Sequence, residues 1–186
     1  GYEVVHLTTN QLINDNLAPF DAIVTGVRLV NISDEFKLIQ PKLMAYVQNG
    51  GTLLMQYNVN NGLKTTNIGP YPFKLANKRV TEEDAKVTFL KPEHPALNYP
   101  NKITASDFDG WVQERGIYFA TDIDPKYSTI LSMNDTGEPA SDGALIIADY
   151  GKGKFVYTSL VFFRELPAGV PGAYRLFANL LAPKKP

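Results

Sequence analysis

Gly50-Gly51-Thr52-Leu53-Leu54-Met55-Gln56-Tyr57-Asn58 reads as a helix stop, a short apolar strand and a polar turn, in that order. Glycine accepts the left-handed conformation with which helices commonly end. Leu53-Leu54-Met55 is a continuous apolar run, the pattern of a strand covered on both faces. In open α/β sheets, ligands and reactive groups gather where the carboxyl end of such a strand meets the next turn. A nucleophilic enzyme of that architecture would place Cys or Ser there. Here stand Gln56, Tyr57 and Asn58. They either line a ligand crevice or simply close the strand as a polar turn.

Upstream, Pro41 suits the first turn of a helix, and Leu43, Met44 and Val47 share one helical face before Asn49. Phe20 to Val27 is a second apolar strand, ending at Gly26-Val27. Together they make a strand–helix–strand unit, which crosses over right-handed. Glu3 to Thr8 (EVVHLT) is β-branched and reads as a further strand. The chain opens on Gly1-Tyr2 without Met. This suggests a fragment of a longer protein, with a first strand and helix truncated.

Downstream, residues 58–81 are rich in Asn, Gly and Pro and form a long irregular excursion. Ala85–Leu90 reads as a short strand, Thr104–Asp107 as a capped turn, and Trp111–Phe119 as strand-like. Gly143–Tyr150 and Lys154–Leu160 flank Gly151-Lys152-Gly153, a hairpin signal. Pro171 opens a terminal helix carrying Leu176, Phe177, Leu180 and Leu181. No repeat or linker divides the chain, so residues 1–186 read as one domain.

The 186 residues are 44% hydrophobic and 20% charged, with formal net charge -1, which suits a globular domain and not a disordered tail. Basic residues form no stripe, and the terminal Lys184-Lys185 pair is too small to make one. Nucleic acid is therefore not an expected partner. The chain has no Cys, which removes disulfides, thiolate metal ligands and a Cys nucleophile together. No apolar run approaches the ~20 residues that span a bilayer.

The order of these elements resembles the class I glutamine amidotransferase-like fold, and within it the ThuA-like branch. The segments YPFKL, RVTEEDAKVTFL, HPALNYPNKIT, DFDGWVQERGIYF and LPAGVPGAYRLFANLL resemble the C-terminal region of large bacterial PIG-L (LmbE-like) deacetylases. The resemblance implies a flavodoxin-like three-layer α/β sandwich, with a mostly parallel sheet and an antiparallel hairpin near one edge. It implies an accessory domain that binds carbohydrate or packs on an upstream deacetylase domain of the same chain. It also implies a periplasmic or secreted location, which the residues themselves do not fix.

Neither family's chemistry carries over residue by residue. The amidotransferase Cys falls at Gln56-Tyr57-Asn58, and its late His-x-Glu pair falls at Val161-Phe162-Phe163-Arg164-Glu165. The deacetylase zinc motif would begin His-Pro-Asp-Asp, but Ala96-Leu97 follow His94-Pro95, and His6 is the only other histidine. We therefore expect no catalytic residue, metal or cofactor in this chain.

Several side chains remain as candidates for ligand contact. Arg28 follows the Phe20–Val27 strand and could grip a carboxylate or phosphate, or form an internal ion pair. Trp111, Gln113 and Arg115 would share one strand face, as a sugar-binding surface or as core. Arg164 and Glu165 occupy the position of the fold's late histidine, lining a pocket or bridging locally. Glu114 and Glu165 are a conceivable carboxylate pair for an independent sugar hydrolase or lyase. The loop Asn134–Asp142 could hold calcium, His94 could titrate in a turn, and the whole chain could serve only for oligomerisation.

Overall fold

The stop at Gly50-Gly51 holds in three dimensions, with Gly50 at φ 123 and Gly51 bonding back from its N–H to the Tyr46 carbonyl at 3.0 Å. The computed structural model describes residues 1–183, so Lys184-Lys185 lies outside the described residues. In chain order the elements begin with α1 (Thr9–Asn14), β1 (Ala22–Val24), α2 (Leu29–Ile32), α3 (Phe36–Gln48) and β2 (Thr52–Gln56). Short strands follow: β3 (Lys74–Leu75), β4 (Arg79–Val80), β5 (Val87–Phe89), β6 (Gly116–Ile117), β7 (Ala120–Thr121), β8 (Ser128–Thr129) and β9 (Leu131–Met133). The chain closes with β10 (Leu145–Tyr150), β11 (Gly153–Thr158), α4 (Phe162–Glu165) and α5 (Pro171–Leu181). Two 3-10 turns cover Pro95–Leu97 and Ala105–Phe108.

The main sheet has five strands in the order β1-β2-β11-β10-β8. β2 runs parallel to β1 and to β11, whereas β10 is antiparallel to both β11 and β8. The remaining strands form three two-stranded antiparallel pairs, β3/β7, β4/β6 and β5/β9. This overturns the flavodoxin-like reading with a mostly parallel sheet. The sheet is mixed, and most of the pairings in the chain are short and antiparallel.

Two local causes account for the difference. Glu3–Thr8 does not pair as a strand. Instead the Thr8 side chain caps α1 in a reciprocal box with Gln11. Residues 58–143 supply antiparallel pairs in place of further strand–helix–strand crossovers. Pro41 also sits inside α3, which begins five residues earlier at Phe36.

Side chains alternate across the sheet as strand geometry requires. Leu53, Met55, Phe155 and Tyr157 pack against Leu43 and Val47 of α3 on one face. Leu54, Val156, Leu145 and Ile147 pack against Leu176 and Leu180 of α5 on the other. Gly143 marks a close backbone crossing just before β10. Its carbonyl accepts the Ala120 N–H at 3.0 Å, and a Cβ added there would overlap the Ala120 carbonyl. Gly143→Ala is expected to lose on the order of 3 kcal/mol. Urea unfolding reads this directly, and an unshifted midpoint would contradict the crossing.

Candidate functional site

The carboxyl end of β2 is built by short-range bonding from three segments. Gln56 ties β1 to β2: its amide donates to the Thr25 carbonyl at 2.9 Å and its N–H to Thr25 Oγ1 at 3.2 Å. Asn58 is fully buried, accepting from the Val30 N–H at 2.8 Å and donating to the Gln56 carbonyl at 3.1 Å. Its polar groups are thus spent on holding α2 against β2. Arg28 takes a left-handed backbone (φ 62), and its N–H donates to the Tyr57 carbonyl at 2.8 Å.

Between these supports lies a cluster of rings. Tyr57 stacks on Tyr118 with centroids 5.9 Å apart and planes 14° apart, and meets Phe163 at 5.3 Å. Tyr118 and Phe163 are half-buried and form the accessible part. Burial raises the pKa of the Tyr57 hydroxyl, and the charges of Arg28 and Arg164 oppose that rise. Arg164 projects from α4 over the Phe163 ring at 5.0 Å, with Nε 3.2 Å from Glu114 Oε1. That Nε is buried and finds no hydrogen-bond acceptor in good geometry. Gln113 and Tyr118 are also left-handed (φ 68 and 56). Arg28 and Tyr118 thus flank Tyr57 with strained non-glycine backbone. Such strain is retained where surrounding structure over-determines it, commonly at functional sites.

The other candidates turn inward. Trp111 is only 2% exposed; its Nε1 donates to the Asp107 carbonyl at 3.0 Å, and its ring meets Phe108 at 5.3 Å and Phe162 at 6.0 Å. Arg115 is buried beside it, donating from Nε to the Ala85 carbonyl at 3.1 Å and from Nη1 to the Phe108 carbonyl. Burial lowers the Arg115 pKa, against the pull of Glu165. The shared sugar face of Trp111, Gln113 and Arg115 is therefore not formed. The left-handed turn at Gln113, whose N–H donates to Glu83 at 2.6 Å, breaks the alternation it required.

Glu165 is wholly buried and accepts the Val112 N–H on both carboxylate oxygens, at 3.2 and 3.1 Å. Burial raises its pKa, offset by that N–H and by Arg115. The structure thus brings together Arg28, Tyr57, Arg164 and Glu114. It places Gln56, Asn58 and Glu165 as supports, and Trp111 and Arg115 in the core. The sequence reading missed Tyr118 and Phe163. Tyr118 lies in a bend and Phe163 in the short helix α4, and an aromatic residue at either place is too common to be singled out without its contact to Tyr57.

Outside this end, His94 Nδ1 accepts the Ala96 N–H at 3.1 Å and caps a 3-10 turn, while burial lowers its pKa. In the Asn134–Asp142 loop, the Asp135 carboxylate accepts from the Thr81 and Glu82 backbones at 2.8 and 2.9 Å, which ties the loop to the segment after β4. Among the described residues no group of three or more His, Asp or Glu could hold a metal ion. None of their helices is long and apolar enough to cross a membrane.

Two hollows lie at the opposite, amino ends of the strands. The larger, about 840 Å³, is bounded by Phe20, Tyr46, Gly51, Tyr99, Ala178 and Leu181. A smaller one of about 180 Å³ is lined by His94, Asp149, Lys154 and Asn179. We place the candidate site at Tyr57 because charged side chains, half-buried rings and strained backbone coincide there. The larger hollow also has Asp15, Asp21 and Lys42 in its lining, with Tyr2, Tyr46 and Tyr99.

No family model matches the chain, and no curated protein matches it in sequence. Solved structures do share its fold. A cytoplasmic protein from Salmonella typhimurium superposes with TM-score 0.59 at 17% identity, over 91% of this chain and 74% of that one. A second cytoplasmic protein, from Salmonella typhimurium LT2, gives TM-score 0.59 at 16% identity, over 89% and 72%. A cold-adapted beta-galactosidase from Rahnella sp. R3 gives TM-score 0.52 at 15% identity; the match covers 90% of this chain but 24% of that enzyme. At these identities the likeness is one of fold. None of the three is named as an amidotransferase or a deacetylase.

Proposed function

We propose that this chain is a non-catalytic accessory domain of a larger PIG-L-type deacetylase, binding carbohydrate at the carboxyl end of β2. The observation that carries this reading is the Tyr57–Tyr118–Phe163 ring cluster with Arg28 and Arg164 at its rim. A sugar offers an apolar C–H face for rings and hydroxyls for charged donors, and sites of this kind combine apolar walls with few polar groups. The deacetylase parent rests on the sequence resemblance. Carbohydrate as ligand class draws further support from the beta-galactosidase, a quarter of whose length has this fold.

The carboxylates support binding over hydrolysis. Glu114 is engaged by Arg164, and Glu165 is buried with both oxygens on one backbone N–H. A general acid or base must reach the proton it transfers, and neither group is free to do so.

Calorimetric titration with galactose, N-acetylglucosamine, their oligomers and the matching uronic acids tests this. Saturable binding to at least one sugar is expected, weakened about 10-fold or more in Phe163→Ala, as loss of one stacked ring implies. Binding to none of the panel overturns the reading, as does binding that Phe163→Ala leaves unchanged.

A further inference from the structure

The charges around Tyr57 do not cancel. Arg28, Arg164 and Glu114 all act on its hydroxyl. Glu114 is taken by Arg164 at 3.2 Å. Among the described residues no acidic side chain forms an ion pair with Arg28, which leaves one guanidinium uncompensated at the rim.

The backbone at Arg28 is fixed from both sides. Its N–H donates to the Tyr57 carbonyl at 2.8 Å, and its carbonyl accepts the Asn31 and Ile32 N–H groups at 2.9 and 3.1 Å. The residue is left-handed, a conformation that favours Gly or Asn and that Arg adopts at a cost. Architecture alone would be served better by a smaller residue. The side chain therefore has a use, and it springs from a rigid Cα beside the ring cluster. A guanidinium carried on this fixed backbone suits a planar carboxylate, which it can meet with two parallel hydrogen bonds.

Resting on the carbohydrate reading above, we propose that this ring cluster takes an acidic saccharide. The sugar ring of a uronic acid unit lies on Tyr118 and Phe163, and its carboxylate pairs with Arg28. Arg164 stays bound to Glu114 and contributes to ring hydroxyls rather than to the acid.

The test titrates the chain with galacturonate and glucuronate against galactose and glucose, and with acetate as a bare carboxylate. A uronate is expected to bind about 10-fold tighter than its neutral counterpart at low salt, with the advantage shrinking as salt rises. Arg28→Asn keeps the left-handed backbone; it should bring acid and neutral sugar within about 2-fold, lowering the affinity for the uronate far more than that for its neutral counterpart. Arg28→Lys, which keeps charge but loses the fork, should retain only part of the advantage. Equal binding of acidic and neutral sugars would overturn this inference and leave the carbohydrate reading standing. Acetate binding as tightly as uronate would reduce the site to a general anion contact and also overturn it. Binding of no sugar at all would remove both.

Discussion

Trp111→Ala is expected to cost about 3–5 kcal/mol of folding stability, the range for deleting a large buried aromatic. The ring is 2% exposed, stacked at 29° on Phe108 and tilted against Phe162. Arg115 lies 5.9 Å from its centroid, so truncation also strips a neighbour from a buried cation. Trp111→Phe should cost less. It keeps most of the packing and loses the hydrogen bond to the Asp107 carbonyl, worth about 1 kcal/mol. Because this is the chain's one tryptophan, its fluorescence reports the same site. The native emission should be blue-shifted and shielded from acrylamide until unfolding. Urea denaturation followed by circular dichroism gives the stability change. A loss below 1 kcal/mol, or free quenching in the native state, would return Trp111 to the surface and revive it as a sugar platform.

Lys154→Met should do the reverse and stabilise the protein. Lys154 opens onto the smaller hollow, and its ammonium donates to the Asn179 carbonyl at a long 3.4 Å. Burial lowers its pKa to about 8, with Asp149 pulling the other way. The folded pKa thus lies below the unfolded one, near 10.4. Below pH 8 the folded state carries the cost of a desolvated charge. Between about pH 8 and pH 10.5 the unfolded chain binds the extra proton, so stability rises with pH through that window. Methionine fills the stem's volume without the charge. At pH 7 the gain should be about 2–3 kcal/mol, and it should fade as pH climbs toward 10.5. Melting temperatures at pH 6, 7, 9 and 10 check both sign and window. A destabilised variant, or a gain flat across pH, would contradict a desolvated lysine.

β2, the β10/β11 turn and α5 were legible because each is specified locally, by Gly50-Gly51, by Gly151-Lys152-Gly153 and by the apolar spacing after Pro171. Sheet direction was not legible. Glu3–Thr8 has strand composition, yet β-propensity mostly measures packing against partner strands. With no partner, Val4 and Val5 stay exposed while Thr8 and Gln11 cap a helix. The Trp111–Phe119 segment looked like an alternating strand. Left-handed turns at Gln113 and Tyr118 reverse the side-chain directions, and alternation carries no trace of them.

The candidate site was half legible for the same reason. Arg28, Tyr57 and Arg164 follow from position at strand ends. Tyr118 and Phe163 join them only through contacts that link residues far apart in the chain. Trp111 was the natural choice for a sugar face by residue type. Its indole N–H, satisfied four residues away by Asp107, settled it in the core instead.

The most direct test of the account is an amide-resolved NMR titration of the chain with galactose and with galacturonate. We expect saturable shifts at Arg28, Asn58, Val59, Tyr118 and Arg164, with the amides of Tyr46, Gly51 and Ala178 unmoved. Shifts confined to the Tyr46–Ala178 hollow, or no saturable shift with either sugar, would contradict a carbohydrate site at the carboxyl end of β2.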